Sequence, residues 1–238
     1  GSRRQRPAHM NSAGQEGRCL GLIGGLGPGA TVYYYRGLIT AHEAIGRTPR
    51  LLIAHADVNQ VRAFVENGDR DGLARYLASF ISSLAAGGAE MTAIVAVTPH
   101  ICANELTAIS PLPLIDMVSE TAAAIRARGL KRVALLGTRF TVESRMFDRL
   151  GVDIVMPKPE EIEQIHNTYM DVLYDRSTPA QIDGLRQLAR TLVARDGAEA
   201  VLLAGTDFSM VLNEHDAGFP TIDCAAVHIR AIAKKLLA

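Results

Sequence analysis

The chain has 238 residues, 48% of them apolar, with 25 basic and 25 acidic side chains. That length suits one α/β unit or two lobes of about 100 residues each, and the balanced charge, with no basic stripe interleaved with aromatics, argues against a nucleic-acid partner. No apolar run approaches the roughly 20 residues that a membrane span needs. The opening GSRRQRPAHM reads as a tag remnant ahead of a native start at Met10, so residues 1–16 are set aside from the fold. Three widely spaced cysteines, Cys19, Cys102 and Cys224, form neither a disulfide framework nor a metal cluster, which fits a reducing cytoplasm.

Taken in order, Arg18–Gly25 reads as a short buried strand running into the turn Gly24-Gly25-Leu26-Gly27-Pro28, with a helix through Leu38. Glycines there let backbone N–H groups approach a carboxylate or phosphate, with Gly25 and Gly27 as candidate donors, and proline suits a helix's first turn. A tight turn with no ligand is the alternative. Arg50–Asn59 is the second strand, with Asp57 and Asn59 at its exit. A helix over Asp69–Ala86 follows, with Leu73, Leu77, Phe80, Ile81 and Leu84 at helical spacing.

The organising stretch is Ala89–His100, an apolar run ending in Thr98-Pro99-His100. Such a run fits a strand buried on both faces of a parallel sheet, whose carboxyl end is where open α/β sheets place ligands. A short helix around Cys102–Ala108, a strand over Leu112–Val118 and a helix over Ser119–Arg128 complete the first half.

The pattern then restarts. Lys131–Gly137 is a strand, Thr138 opens a helix through Leu150, and Val152–Pro157 is a strand. Helices over Glu160–Tyr174 and Pro179–Arg195 precede Gly197–Phe208, which repeats the Gly-Ala-Glu entry and ends at Thr206-Asp207. Phe219–Asp223 is the last strand and Ala225–Leu237 the last helix. Each half thus predicts a four-stranded, mainly parallel sheet flanked by helices. The expected lobes are residues 17–117 with 225–238, and residues 118–224, with a cleft between facing strand ends.

The run Gly24–Pro28 with Ala30-Thr31, the segment Leu135-Leu-Gly-Thr-Arg-Phe-Thr141 with Glu161–His166 beyond it, and the two Gly-Ala-Glu strands resemble the aspartate/glutamate racemase superfamily, nearest its aspartate racemase and broad amino-acid racemase branch. The resemblance implies two pseudo-symmetric α/β lobes, an active site between them, a homodimer, and cofactor-independent chemistry on a small carboxylate or amino acid. Its racemases use one cysteine from each lobe, in motifs resembling CNTxH and LGCTE. Here Ala96 and Gly205 stand where those cysteines are expected, while Thr98, His100, Thr206 and Asp207 keep register.

A base must lie within reach of the substrate's α-proton, and racemisation needs an acid on the opposite face. His100 and Asp207 are the candidate acid/base groups; structural roles, a helix cap for either, stand beside that reading. Thr98 and Thr206 are candidate donors to a substrate carboxylate, joined by Thr138, Thr141, Gly25 and Gly27, with Asp57 as a further candidate substrate-binding residue. Arg47 and Arg176 lie near regions where aspartate racemases bring cations to the distal carboxylate. Cys102 and Cys224 are either packing residues or relocated thiols. Losing both thiols also predicts a cleft with extra room on both faces. No metal site and no cofactor are expected. The first reading is a family member doing isomerase, decarboxylase or lyase chemistry without a cysteine pair. A racemase using Cys102 or Cys224, and a silent ligand-binding homologue, are the alternatives.

Overall fold

The computed structural model describes residues 17–238, so the tag reading lies outside the described residues. Its first sheet holds β1 (Cys19–Gly24), β2 (Arg50–His55) and β3 (Met91–Ile94), in the order β2-β1-β3. The second holds β4 (Arg132–Leu136), β5 (Asp153–Val155), β6 (Ala200–Leu203) and β7 (Thr221–Asp223), in the order β5-β4-β6-β7. Every strand pair in both sheets is parallel.

Nine helices connect the strands among the described residues: α1 (Pro28–Glu43), α2 (Val58–Glu66), α3 (Arg70–Ala86), α4 (Ala103–Ile109), α5 (Met117–Ala127), α6 (Arg139–Glu143), α7 (Pro159–Leu173), α8 (Pro179–Asp196) and α9 (Cys224–Leu237). Among the described residues, none is long and apolar enough to cross a membrane.

Alternation along the strands builds three apolar layers. Leu20 and Leu22 of β1, Val133 and Leu135 of β4, and Leu202 of β6 join one cluster with Tyr34 and Leu38 of α1, Ile125 of α5 and Ile229 and Ile232 of α9. Ile23 and Ile94 turn the other way, onto Leu77 and Ile81 of α3. Leu136, Val201 and Leu203 face Ile165 of α7 and Leu185 and Leu192 of α8. Helices α1, α5 and α9 therefore sit in a core shared by both sheets. Each fully buried leucine there is worth about 1.5–3 kcal/mol over its exposed state.

Three expectations change. The strand over Leu112–Val118 is reduced to one parallel bridge between Thr92 and Leu114, so the first sheet has three strands. Pro111 and Pro113, both just before Leu114, offer no N–H to extend a ladder on that side. The second strand stops at His55, because Asp57 caps a helix: its Oδ1 accepts from the Asn59 N–H at 2.8 Å, and α2 begins at Val58. The helix opened by Thr138 ends at Glu143, and Arg145, at φ 55°, turns the chain into a 3-10 turn over Met146–Leu150.

Candidate active site

Four strand ends converge on one cavity of about 490 Å³. Leu26 arrives just past β1, Ala96 to Pro99 just past β3, Thr138 past β4, and Ala204 to Asp207 past β6. This is the carboxyl edge where open α/β sheets hold ligands. Helix α2 adds Val58, Val61, Val65 and the exposed Arg62, and α7 adds His166, Tyr169, Met170 and Leu173. The walls are mostly apolar, with a few convergent polar groups, which is the usual make-up of a small-molecule site.

Both organising strands are shorter than the apolar runs predicted, since each passes into a 3-10 turn, Thr98–Cys102 and Thr206–Met210. Those turns bring Thr98 and Thr206 to the same cavity, together with Ala96 and Gly205. Thr138 and Thr141 line it too. Their hydroxyls pair with each other at 3.0 Å, and Thr138 caps α6 by accepting from the Thr141 N–H.

Asp207 is 2% exposed, and its Oδ2 accepts from the Tyr169 hydroxyl at 2.7 Å. Its Oδ1 finds no hydrogen-bond partner among the described residues. Burial raises the Asp207 carboxyl above its ordinary value, and the Tyr169 hydrogen bond opposes part of that rise. Burial and the neighbouring Asp207 charge push the Tyr169 phenol well above 10, so it stays a neutral donor. His166 accepts from the Arg139 N–H at Nδ1, and burial first, then the Arg139 charge, holds its pKa below 6.5.

Several expected site residues lie elsewhere. His100 is 1% exposed and turned inward: its Nδ1 donates to the Ala96 carbonyl at 2.8 Å, and burial lowers its pKa. It lines a separate pocket of about 200 Å³ beside Arg70 and Arg149. The Gly25 N–H is already taken by the Thr31 hydroxyl at 3.0 Å. Gly27, at φ 137°, lies against the Asp207 carboxylate and off the cavity lining: a Cβ there would come within 3.3 Å of Oδ2. Asp57 is the exposed cap of α2. Arg47 is exposed beyond α1, and Arg176 pairs loosely with Asp171 at 3.6 Å and stacks over Tyr174. Among the described residues the arginine at the cavity is Arg62, on a helix whose first two residues, Val58 and Asn59, read as strand from the sequence and whose remainder was left unassigned.

Among the described residues no cysteine lines the cavity. Cys102 donates its thiol to the Pro99 carbonyl at 3.2 Å, and burial pushes its pKa up to about 12. Cys224, fully buried at the start of α9, is pushed up to about 12 by burial as well. Neither is a ready thiolate at neutral pH.

The extra room expected at position 205 is not there. A Cβ built on Gly205 would meet the Tyr169 ring at 2.4 Å, so the ring already fills that space. Tyr169 is the residue the sequence reading missed. Its helical phase, three residues after His166, was the available signal, but it had no visible partner until the strand end was placed beside it.

A family profile for Asp/Glu/hydantoin racemases matches residues 23–232. The chain belongs to that family. Among solved structures, a candidate Asp/Glu racemase from Yersinia pestis is 26% identical, with 93% of this chain and 100% of that chain covered and a TM-score of 0.82. An aspartate racemase homologue from Pyrococcus horikoshii is 24% identical over 93% and 100% of the two chains, at a TM-score of 0.81. The Picrophilus torridus aspartate racemase follows at 23% identity, 92% and 95% coverage and a TM-score of 0.72. For these last two the likeness is one of fold. The family assignment supports an enzyme of racemase type.

Proposed function

We propose that this family member performs cofactor-independent acid/base chemistry on a small carboxylate or amino acid in the cavity at the strand ends, without a pair of thiols. One observation carries the reading. The cavity brings together Ala96 and Gly205, the two positions where the resemblance expects cysteines, and beside them sets a buried carboxylate, Asp207. A carboxylate raised by burial is a stronger base than one in water, as abstraction next to a carboxyl group requires. Arg62, Thr98 and Thr206 are the groups we assign to holding the substrate's own carboxylate. The same reading takes the protein as a cytoplasmic homodimer, the first from its unpaired buried cysteines and the second from the family resemblance.

Isomerisation, decarboxylation or elimination fits this set better than racemisation by two thiols, because among the described residues no thiol lines the cavity. Solvent-deuterium incorporation, followed by NMR with aspartate, glutamate, phenylglycine and methylmalonate, tests the reading. Exchange or turnover that survives thiol alkylation is the expected result. Silence across the panel from a folded sample, with ligand-induced thermal stabilisation intact, would favour a ligand-binding homologue instead.

A further inference from the structure

We propose that the Tyr169 hydroxyl is the group that exchanges a proton with the substrate, with Asp207 behind it as the proton store, so that this pair takes and returns the proton on one face. This rests on the acid/base reading above and names the residues that perform it.

The first argument is position. The Tyr169 ring occupies the volume next to Gly205, with Cε2, Cδ2 and Cζ at 2.4, 3.1 and 3.2 Å from a Cβ built there. A side chain at 205 and this ring exclude each other. Tyr169 therefore stands where the resemblance expects a proton-bearing thiol.

Its orientation is fixed from two sides. The ring meets Phe208 edge to face, with centroids 4.9 Å apart at 84°, and the hydroxyl donates to Asp207 Oδ2 at 2.7 Å. Asp207 itself is packed against the Gly27 turn and is 2% exposed. Tyr169 is only half-buried and lines the cavity. Both residues line the cavity, and Tyr169 is the more exposed of the two, with the carboxylate packed behind it.

The chemistry balances. As the substrate's C–H bond breaks, its electron pair stays on the substrate, delocalised into the adjacent carboxyl group as an enolate. The proton bonds to Tyr169 Oη while the phenol's own proton passes to Asp207 Oδ2. One negative charge moves from Asp207 to the substrate, and no cofactor or oxidant is consumed. A phenol far above 10 that leans on a carboxylate raised by burial passes a proton along and does not itself ionise. Reversal returns a proton to the same carbon face. Ala96, Val97 and Thr98 of the same lining carry no acid/base group, so proton delivery to a second face would have to come from Glu66 of α2 or from His166, which also line the cavity.

The expected outcome is α-proton exchange in D2O with retention of configuration, using the acids named above. Tyr169→Phe keeps the ring and its packing, and a thermal melt checks its fold. It should lower exchange at least about hundredfold, in line with the loss of a positioned acid/base group. Racemisation keeping pace with exchange, or undiminished exchange in Tyr169→Phe, overturns the relay. A second readout needs no turnover: a carbon-13 titration of labelled aspartates, with the Asp207 signal identified by Asp207→Asn. Its pKa should move further up in Tyr169→Phe, because a hydrogen bond favouring the charged form is gone. An unchanged Asp207 titration overturns the pairing. Wild-type silence across the panel, with that upward movement present, strikes the proposed function and leaves the pairing standing.

Discussion

A Cβ on Gly205 would sit 2.4 Å from Cε2 of Tyr169, so the Tyr169 ring in this place requires glycine at 205. Position 205 has an extended backbone, φ −160°, that any residue adopts, so the constraint is the ring and not the conformation.

Gly205→Ala should therefore displace the Tyr169 ring from Asp207. Overpacking of this kind costs about 1–3 kcal/mol. The expected result is a lower melting temperature together with loss of exchange. A double variant, Gly205→Ala with Tyr169→Leu, should recover part of the stability and none of the exchange. Full stability in Gly205→Ala alone would show that the ring moves freely.

Asp207→Asn separates stability from function. The Asp207 carboxyl is raised in the folded state, so its contribution to stability is present below the ordinary value of 3.8 and is lost as pH rises through the folded pKa. At neutral pH the buried charge is a liability. Asp207→Asn should melt a few degrees higher than the wild type at pH 7, with the gap closing at pH 3, and should show no exchange. A variant less stable than the wild type at pH 7 would mean that the ionised carboxylate is held by more than Tyr169.

His228 gives the chain an acid limit. Its Nδ1 meets the Tyr34 hydroxyl at 2.9 Å, its Nε2 meets the Ile115 carbonyl at 2.8 Å, and burial lowers its pKa from 6.5 to about 3. A lowered imidazole contributes stability above 6.5 that is lost as pH falls toward 3. One pKa unit is worth about 1.4 kcal/mol, so His228 alone should remove about 2 kcal/mol between pH 6.5 and 5. Urea unfolding at the two pH values measures this, and His228→Gln should flatten the slope.

The cysteines should be silent in the native protein. All three are buried, and Cys102 and Cys224 are pushed up to about 12. Iodoacetamide at pH 8 should label none within the time that labels all three in urea, as read by mass spectrometry. Exchange activity lost in step with labelling would return a thiol to the mechanism.

Much of the fold was legible in the residues. The Gly-Ala-Glu entries and the apolar runs after them gave β3 and β6, and period-2 alternation set which side chains enter which layer. Helix α2 was not legible as read, because Asp57 and Asn59 looked like a strand exit until the cap formed by Asp57 was placed. The segment at Leu114 has the apolar pattern of a full strand, but Pro111 and Pro113 just before it lack the N–H groups that a ladder needs, and a single bridge is what forms.

What the amino-acid order determined by itself is the alternating strands and helices, two parallel sheets, and polar strand ends at Thr98 and Thr206, since these follow from local periodicity and backbone preference. Only the tertiary structure decided which side chains share the cavity. His100 is two residues from Thr98 yet turns inward to the Ala96 carbonyl, whereas Tyr169, 38 residues from Asp207, lies within a hydrogen bond of it. Direction out of a 3-10 turn and the phase of a docked helix are set by packing between elements, and spacing along the chain does not encode them.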